Sequence, residues 1–148
     1  MLFRSPGEQA DGAEAPAESR HDLGTGETIL VIDDEEPILG IIRDNLEAFD
    51  YKVITASTGE AGLEVFKSGR SGIDLIILDL GMPGMGGRAC LKELLTLDPM
   101  VKVVIVTGYS GPRQAEEMFK AGAKAFISKP FRLGDMLKKI RETLDDKV

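Results

Sequence analysis

The chain has 148 residues, 43% of them hydrophobic, which is enough for one ordinary core and so for one domain. Its net charge of −7 argues against direct nucleic-acid binding through a basic face, and no apolar run approaches the ~18–20 residues of a membrane span. A single cysteine, Cys90, excludes an internal disulfide and fits a reducing, cytoplasmic setting, and no sustained apolar stretch follows Arg4 to form a secretory signal.

Residues 1–26 are rich in Gly, Ala, Glu, Pro and Ser, with Leu2, Phe3 and Leu23 among their few large apolar residues. Such a segment buries too little surface to offset its ordering entropy, which predicts a disordered tail or interdomain linker before a domain at 27–148. The sole histidine, His21, lies in it and reads as solvent-exposed filler. From Thr28 onward short β-branched runs alternate with helical spacing. Strands are predicted at Ile29–Ile32, Tyr51–Thr55, Ile73–Leu78, Val101–Val106 and Ala125–Ser128. Pro37 suits the first turn of a helix whose apolar face is Ile38, Ile41, Ile42 and Leu46. Ser57 with Glu60 forms a candidate capping box for a second helix that buries Leu63 and Phe66. The third helix carries Cys90, Leu91, Leu94 and Leu95 and is stopped by Pro99. The fourth, about 112–121, is weak, with Met118 and Phe119 as anchors and Gly122 as its end signal. The fifth has a stripe of Leu133, Met136, Leu137, Ile140 and Leu144.

This alternation implies an α/β fold, a doubly wound parallel sheet with helices on both faces. Working residues in such folds sit at the carboxyl ends of the strands. Here the first strand runs into Asp33, Asp34, Glu35 and Glu36, the third ends in Asp79, the fourth in Thr107 and the fifth in Lys129-Pro130. Adjacent carboxylates at ~4 Å and an effective dielectric of ~20 repel by roughly 4 kcal/mol per pair. Crowded carboxylates call for a hard divalent cation, and oxygen-only ligation suits Mg²⁺. A lysine and a threonine add donors for an anion's oxygens. A metal site that also receives a tetrahedral anion is a phosphoryl site, with Asp79 as the nucleophile.

Asp33-Asp34, Asp79 in "DLGMPGMGG", Thr107 in "VTGYS" and Lys129-Pro130 in "FISKPF" together resemble the receiver domain of bacterial two-component response regulators. The resemblance implies a flavodoxin-like, five-stranded parallel sheet of order 2-1-3-4-5. It implies that Asp79 accepts phosphate from a histidine kinase or histidine phosphotransfer domain. Asp34, Asp79 and the backbone carbonyl of Gly81 would then ligate Mg²⁺, for which Mn²⁺ can substitute, with Asp33 assisting directly or through water. Lys129 would pair with Asp79 and then with the phosphoryl group, beside a cis peptide to Pro130. Thr107 would swing toward a phosphoryl oxygen and Phe126, at the switch-aromatic position, would pack behind it. The readout would be the surface of the fourth helix, fifth strand and fifth helix. The resemblance further implies a monomer or weak dimer with no membrane contact, and an output partner that the sequence does not name.

The chain departs from the family at Gly81, where a polar or bulkier side chain is usual, at Gly86, where Asp or Asn is usual, and at Gly108, where Ala is commoner. Four glycines in "GMPGMGG" predict a loop that is mobile without its ligand. Tyr109 is a bulky group at the mouth. Cys90 reads as a small hydrophobe, Met82 and Met85 as loop anchors, and Lys138, Lys139 and Arg141 as a solvated helix face.

The run Gly84 to Ala89 matches G-x-G-x-x-A, yet it follows the third strand and no acid stands ~20 residues on to hold a ribose. An aspartyl-phosphate phosphatase would need a second acid at Gly81. A receiver catalyses only its own phosphorylation and dephosphorylation, and a pseudo-receiver would keep the fold as an interaction module alone. The acidic linker and the ending after the fifth helix favour the receiver of a hybrid histidine kinase over a stand-alone receiver or one cut from a transcription regulator.

Overall fold

The computed structural model describes residues 23–69, 72–81, 86–108 and 112–145. The elements are β1 Thr28–Ile32, α1 Glu36–Ala48, β2 Lys52–Ala56, α2 Gly59–Gly69 and β3 Leu75–Asp79, followed by α3 Gly86–Leu97, β4 Val103–Thr107, α4 Pro112–Ala121, β5 Ala125–Ser128 and α5 Leu133–Asp145. The strands pair in parallel in the order β2-β1-β3-β4-β5, the expected 2-1-3-4-5 arrangement. Strand boundaries differ from the expected ones by no more than two residues, except at Ala125–Ser128, where they coincide.

Side-chain alternation splits the core into two layers. Ile29, Val31, Ile77, Val104 and Val106 face α1 and α5. Leu30, Ile32, Leu78, Val103 and Ile105 face α2, α3 and Met118 of α4. The central strands β1, β3 and β4 are thus apolar on both sides, which is why these segments read as unbroken apolar runs, whereas the edge strand β2 is largely exposed.

Helix faces depart from expectation at three places. In α1 the buried stripe is Leu39, Ile42 and Leu46, while Ile41 is 57% exposed. Spacing of three and four selects Leu39 and turns Ile41 to solvent. The cap of α2 is Thr58, not Ser57, because Thr58 Oγ1 accepts the Ala61 N–H at 3.0 Å. In α4, Met118 is buried but Phe119 is 48% exposed, so the helix has one anchor where two were expected. Gly122 does end α4, at a φ of +117° that favours glycine.

Residues 23–26, the end of the expected tail, hydrogen-bond to the domain. Gly24 N–H donates to Phe49 C=O at 2.7 Å and Gly26 N–H to Asp50 C=O at 3.0 Å. A side chain at Gly24 would collide with the Tyr51 ring, since a Cβ there would lie 2.6 Å from Cδ1. Residues 1–22, including His21, lie outside the described residues.

Arg141 of α5 locks this segment in place and is not the solvated cation expected of it. Its guanidinium is 2.9 Å from Glu27 and 2.9 Å from Asp145, and donates to Leu23 C=O at 3.2 Å. Burial opposes the charge on Glu27, but the N–H groups of Thr25 and of Glu27 itself, Arg141 and the Thr25 hydroxyl outweigh it and hold the carboxyl down to about 2. A depressed acid contributes stability above its unfolded value and loses it as pH falls toward the folded one. Glu27→Gln is expected to cost roughly 1.5–3 kcal/mol at pH 7. In urea titrations across pH, the gap between wild type and variant should narrow from about pH 4.5 downward; a gap that stays constant to pH 3 would contradict this account.

Candidate functional site

The site lies where β1, β3, β4 and β5 end. Asp33 directly follows β1 and extends its ladder, its N–H donating to Ala56 C=O at 3.1 Å. Its Oδ1 then accepts the Glu35 N–H at 2.9 Å, a turn that breaks the strand and admits α1. Asp79 is the last residue of β3, in register with Val106, and its Oδ1 accepts the Gly81 N–H at 3.1 Å. Asp33 and Asp79 are 2% and 5% exposed, whereas Asp34 faces solvent. One carboxylate oxygen from each of the three lies within 4.8 Å of the other two.

Thr107 ends β4, buried and in register with Ser128. Its C=O accepts the Lys129 N–H at 2.7 Å, which fixes the root of the lysine. The Lys129 ammonium stands 3.4 Å from Asp33 Oδ2, 3.6 Å from Asp79 Oδ1 and 3.9 Å from Glu35 Oε1. The Lys129–Pro130 peptide is cis, as expected. The structure therefore brings Asp33, Asp34, Asp79, Gly81, Thr107 and Lys129 to one edge. Phe126 is on β5, half-buried on the α4 side of the sheet, with its ring centroid 6.5 Å from that of Phe119. Met82, Met85 and Tyr109 lie outside the described residues.

Burial pushes the Asp79 carboxyl upward, reinforced by the charges of Asp33 and Asp34, against the Gly81 N–H and Lys129. Burial works against the Lys129 charge, but Asp33, Asp79 and Glu35 outweigh it and raise its pKa. Three carboxylates thus surround one ammonium, with the Asp34 carboxylate beside those of Asp33 and Asp79. A set of oxygen donors with excess negative charge fits a hard divalent cation such as Mg²⁺.

Three site features were missed from the sequence. Lys129 sits closer to Asp33 than to Asp79, and Glu35 joins it as a third carboxylate. The signal for Glu35 was the unbroken acidic run itself, whose third member had been given no task. Gly87 was also missed. A Cβ there would lie 2.5 Å from Leu80 Cα and 2.7 Å from Asp79 O, so its bare α-carbon lets α3 seat against the backbone carrying Asp79. Gly86 has a φ of +80°, a region that Asp and Asn tolerate better than most side chains.

A model of the response regulator receiver domain family matches residues 29–141. The chain belongs to that family. It is a receiver of two-component signalling. Sensor kinase CckA of Brucella abortus is 29% identical over 133 residues, which are 89% of this chain but 14% of the kinase. A response regulator receiver domain protein from Clostridium thermocellum shares 34% identity at a TM-score of 0.77, covering 80% of this chain and 94% of that one. Response regulator TrrA of Thermotoga maritima, solved in complex with Mg²⁺-BeF, shares 30% identity at a TM-score of 0.71, covering 79% and 98%.

Two outcomes follow for this receiver. Because the folded protein raises the Asp79 carboxyl, its ionisation weakens the fold above that value, and the penalty is relieved as pH falls through it. Asp79→Asn, measured without divalent cations at pH 7, is expected to raise Tm by about 3–5 °C. A lower Tm in the variant would mean that the Lys129 contact outweighs burial and repulsion. Gly87→Ala must displace backbone rather than a flexible side-chain end, and is expected to cost about 1–3 kcal/mol in denaturant unfolding; a change under about 0.5 kcal/mol would show that α3 re-seats freely.

Proposed function

We propose that this receiver accepts a phosphoryl group from a phosphohistidine onto Asp79 in a Mg²⁺-dependent reaction. The observation that carries this reading is the buried Asp79 carboxylate, within 4.8 Å of those of Asp33 and Asp34 and 3.6 Å from the Lys129 ammonium. An Asp79 oxygen attacks phosphorus, the bond from phosphorus to the donor imidazole breaks, and the imidazole leaves with the electron pair. Asp33, Asp34, Asp79 and the Gly81 carbonyl would hold Mg²⁺, with Mn²⁺ as a substitute, and the ion supplies neutralising charge and in-line orientation. Lys129 turns from its carboxylates to a phosphoryl oxygen, and the Thr107 hydroxyl donates to another. The Mg²⁺-BeF complex of TrrA supports this reading by similarity.

Thr107 and Phe126 form the switch in this proposal, and α4, β5 and α5 its readout. The half-exposed Phe119–Phe126 pair is where that surface can repack. The phosphodonor is a histidine kinase or histidine phosphotransfer domain. Similarity to CckA supports attachment to a kinase, with the linker ahead of the docked residues 23–26. Among the described residues no helix is long and apolar enough to cross a membrane. A cytoplasmic module that is a monomer or weak dimer is part of this proposal, as the family resemblance implies. At Gly81, where an aspartyl-phosphate phosphatase needs a general acid, there is no side chain.

Intact mass after incubation with acetyl phosphate tests the reading. One phosphoryl adduct is expected on wild type with Mg²⁺, none without Mg²⁺ and none on Asp79→Asn. No adduct on folded wild type would leave a pseudo-receiver, a protein-interaction module without the chemistry.

A further inference from the structure

Glu35 occupies the N-cap position of α1, with φ −92° and ψ 100°, yet its side chain makes no capping hydrogen bond. Short polar residues are preferred there because their oxygens reach back to the first helical turn. Glu35 forgoes that role. Its N–H is held by Asp33 Oδ1 at 2.9 Å, and its carboxylate reaches to 3.9 Å from Lys129 Nζ. The same ammonium is 3.6 Å from Asp79 Oδ1. The Glu35 side chain is 59% exposed, so its charge faces the solvent from which a phosphodonor arrives. No side chain at Gly81 screens Asp79, where even a Cβ would stand only 3.7 Å from Oδ1.

We infer that Glu35 is a positioning residue that shares Lys129 with Asp79 and thereby slows phosphoryl entry. The inference rests on Asp79 being the phosphoacceptor. With acetyl phosphate as donor, an Asp79 oxygen forms the new bond to phosphorus while the phosphorus–oxygen bond to acetate breaks, and acetate leaves with the electron pair. The protein's contribution to such a transfer is position and neutralisation of charge on the phosphoryl oxygens. Lys129 has one positive charge to offer. While Glu35 draws on it, less is available to the incoming group. A half-exposed ion pair is weak, so the brake is modest, about two- to fivefold in rate.

The experiment follows the rate of adduct formation by intact mass on wild type, Glu35→Gln and Glu35→Asp, with acetyl phosphate and saturating Mg²⁺. Both variants are at an exposed position, and circular dichroism verifies their fold. Glu35→Gln is expected to react about two- to fivefold faster, with the gain shrinking between ~0.01 M and ~1 M salt. Glu35→Asp keeps the charge but is one methylene too short to reach Lys129, and is expected to show a similar gain. A Glu35→Gln rate at or below wild type, or a Glu35→Asp rate equal to wild type, overturns the sharing of Lys129. An adduct on wild type together with unaltered variant rates would overturn this inference and leave the phosphoacceptor reading standing. No adduct on wild type would overturn both.

Discussion

Among the described residues, the ammonium of Lys129 is the one positive charge that reaches the carboxylates of Asp33, Glu35 and Asp79, and the geometry of the carboxyl edge depends on it. Two of those carboxylates are buried, where a lone ionised group would be costly. At ~5 Å and an effective dielectric of ~20, each unrelieved pair repels by roughly 3 kcal/mol. One lysine cannot offset every such pair. The edge is therefore balanced only in part, and a partly balanced edge is ready to take up a divalent cation. Function here comes from withheld compensation rather than from an added group.

The opposite end of the sheet is built on the reverse principle. Arg141 meets Glu27 and Asp145 with short contacts, Thr28 N–H donates to Asp74 Oδ2 at 2.9 Å, and Lys102 Nζ donates to the Leu144 C=O at 2.9 Å. These charges find partners at hydrogen-bond distance. Residues 23–26 enter along Phe49 and Asp50, and α5 finishes beside them. The well-paired end helps hold the fold while the carboxyl edge stays under repulsion. Between the two lies a sheet whose central strands are apolar on both faces and which transmits the position of each strand end through a fixed register.

The parallel alternation of strands and helices and the site edge were legible in the sequence because both follow from simple regularities, whereas the strand order came from the family resemblance. Apolar runs buried on both faces have no polar phase to confuse them, and Asp33, Asp79, Thr107 and Lys129 each end or directly follow a predicted strand. What was not legible depended on three-dimensional neighbours. Ile41 and Phe119 are apolar residues in helices, and their exposure is set by which face of each helix packs on the sheet, not by composition. Thr58 and Ser57 are both good caps, and one residue of phase decides between them. Arg141 looks like any helical cation until Glu27, more than a hundred residues earlier, is brought beside it. Glu35 was visible as an acid, but its reach to Lys129 required the β5–α5 connection to be placed.

Glycine use around Asp79 ties these levels together. Gly87 lets the first turn of α3 touch the Asp79 and Leu80 backbone, so the carboxylate is held from behind by packing rather than by a side chain. Gly81 leaves the front of the same carboxylate without a screening side chain, contributing its N–H to Oδ1. A larger residue at Gly87 would loosen the support, whereas a larger residue at Gly81 would narrow the approach. The same residue type thus serves rigidity at one position and access at the other, and which it serves is decided by the distance from its α-carbon to the backbone of β3. That distance is fixed by how closely α3 packs on Leu78 and Leu80, through Cys90, Leu91 and Leu94. The openness of the site is in this sense a property of the core beneath it.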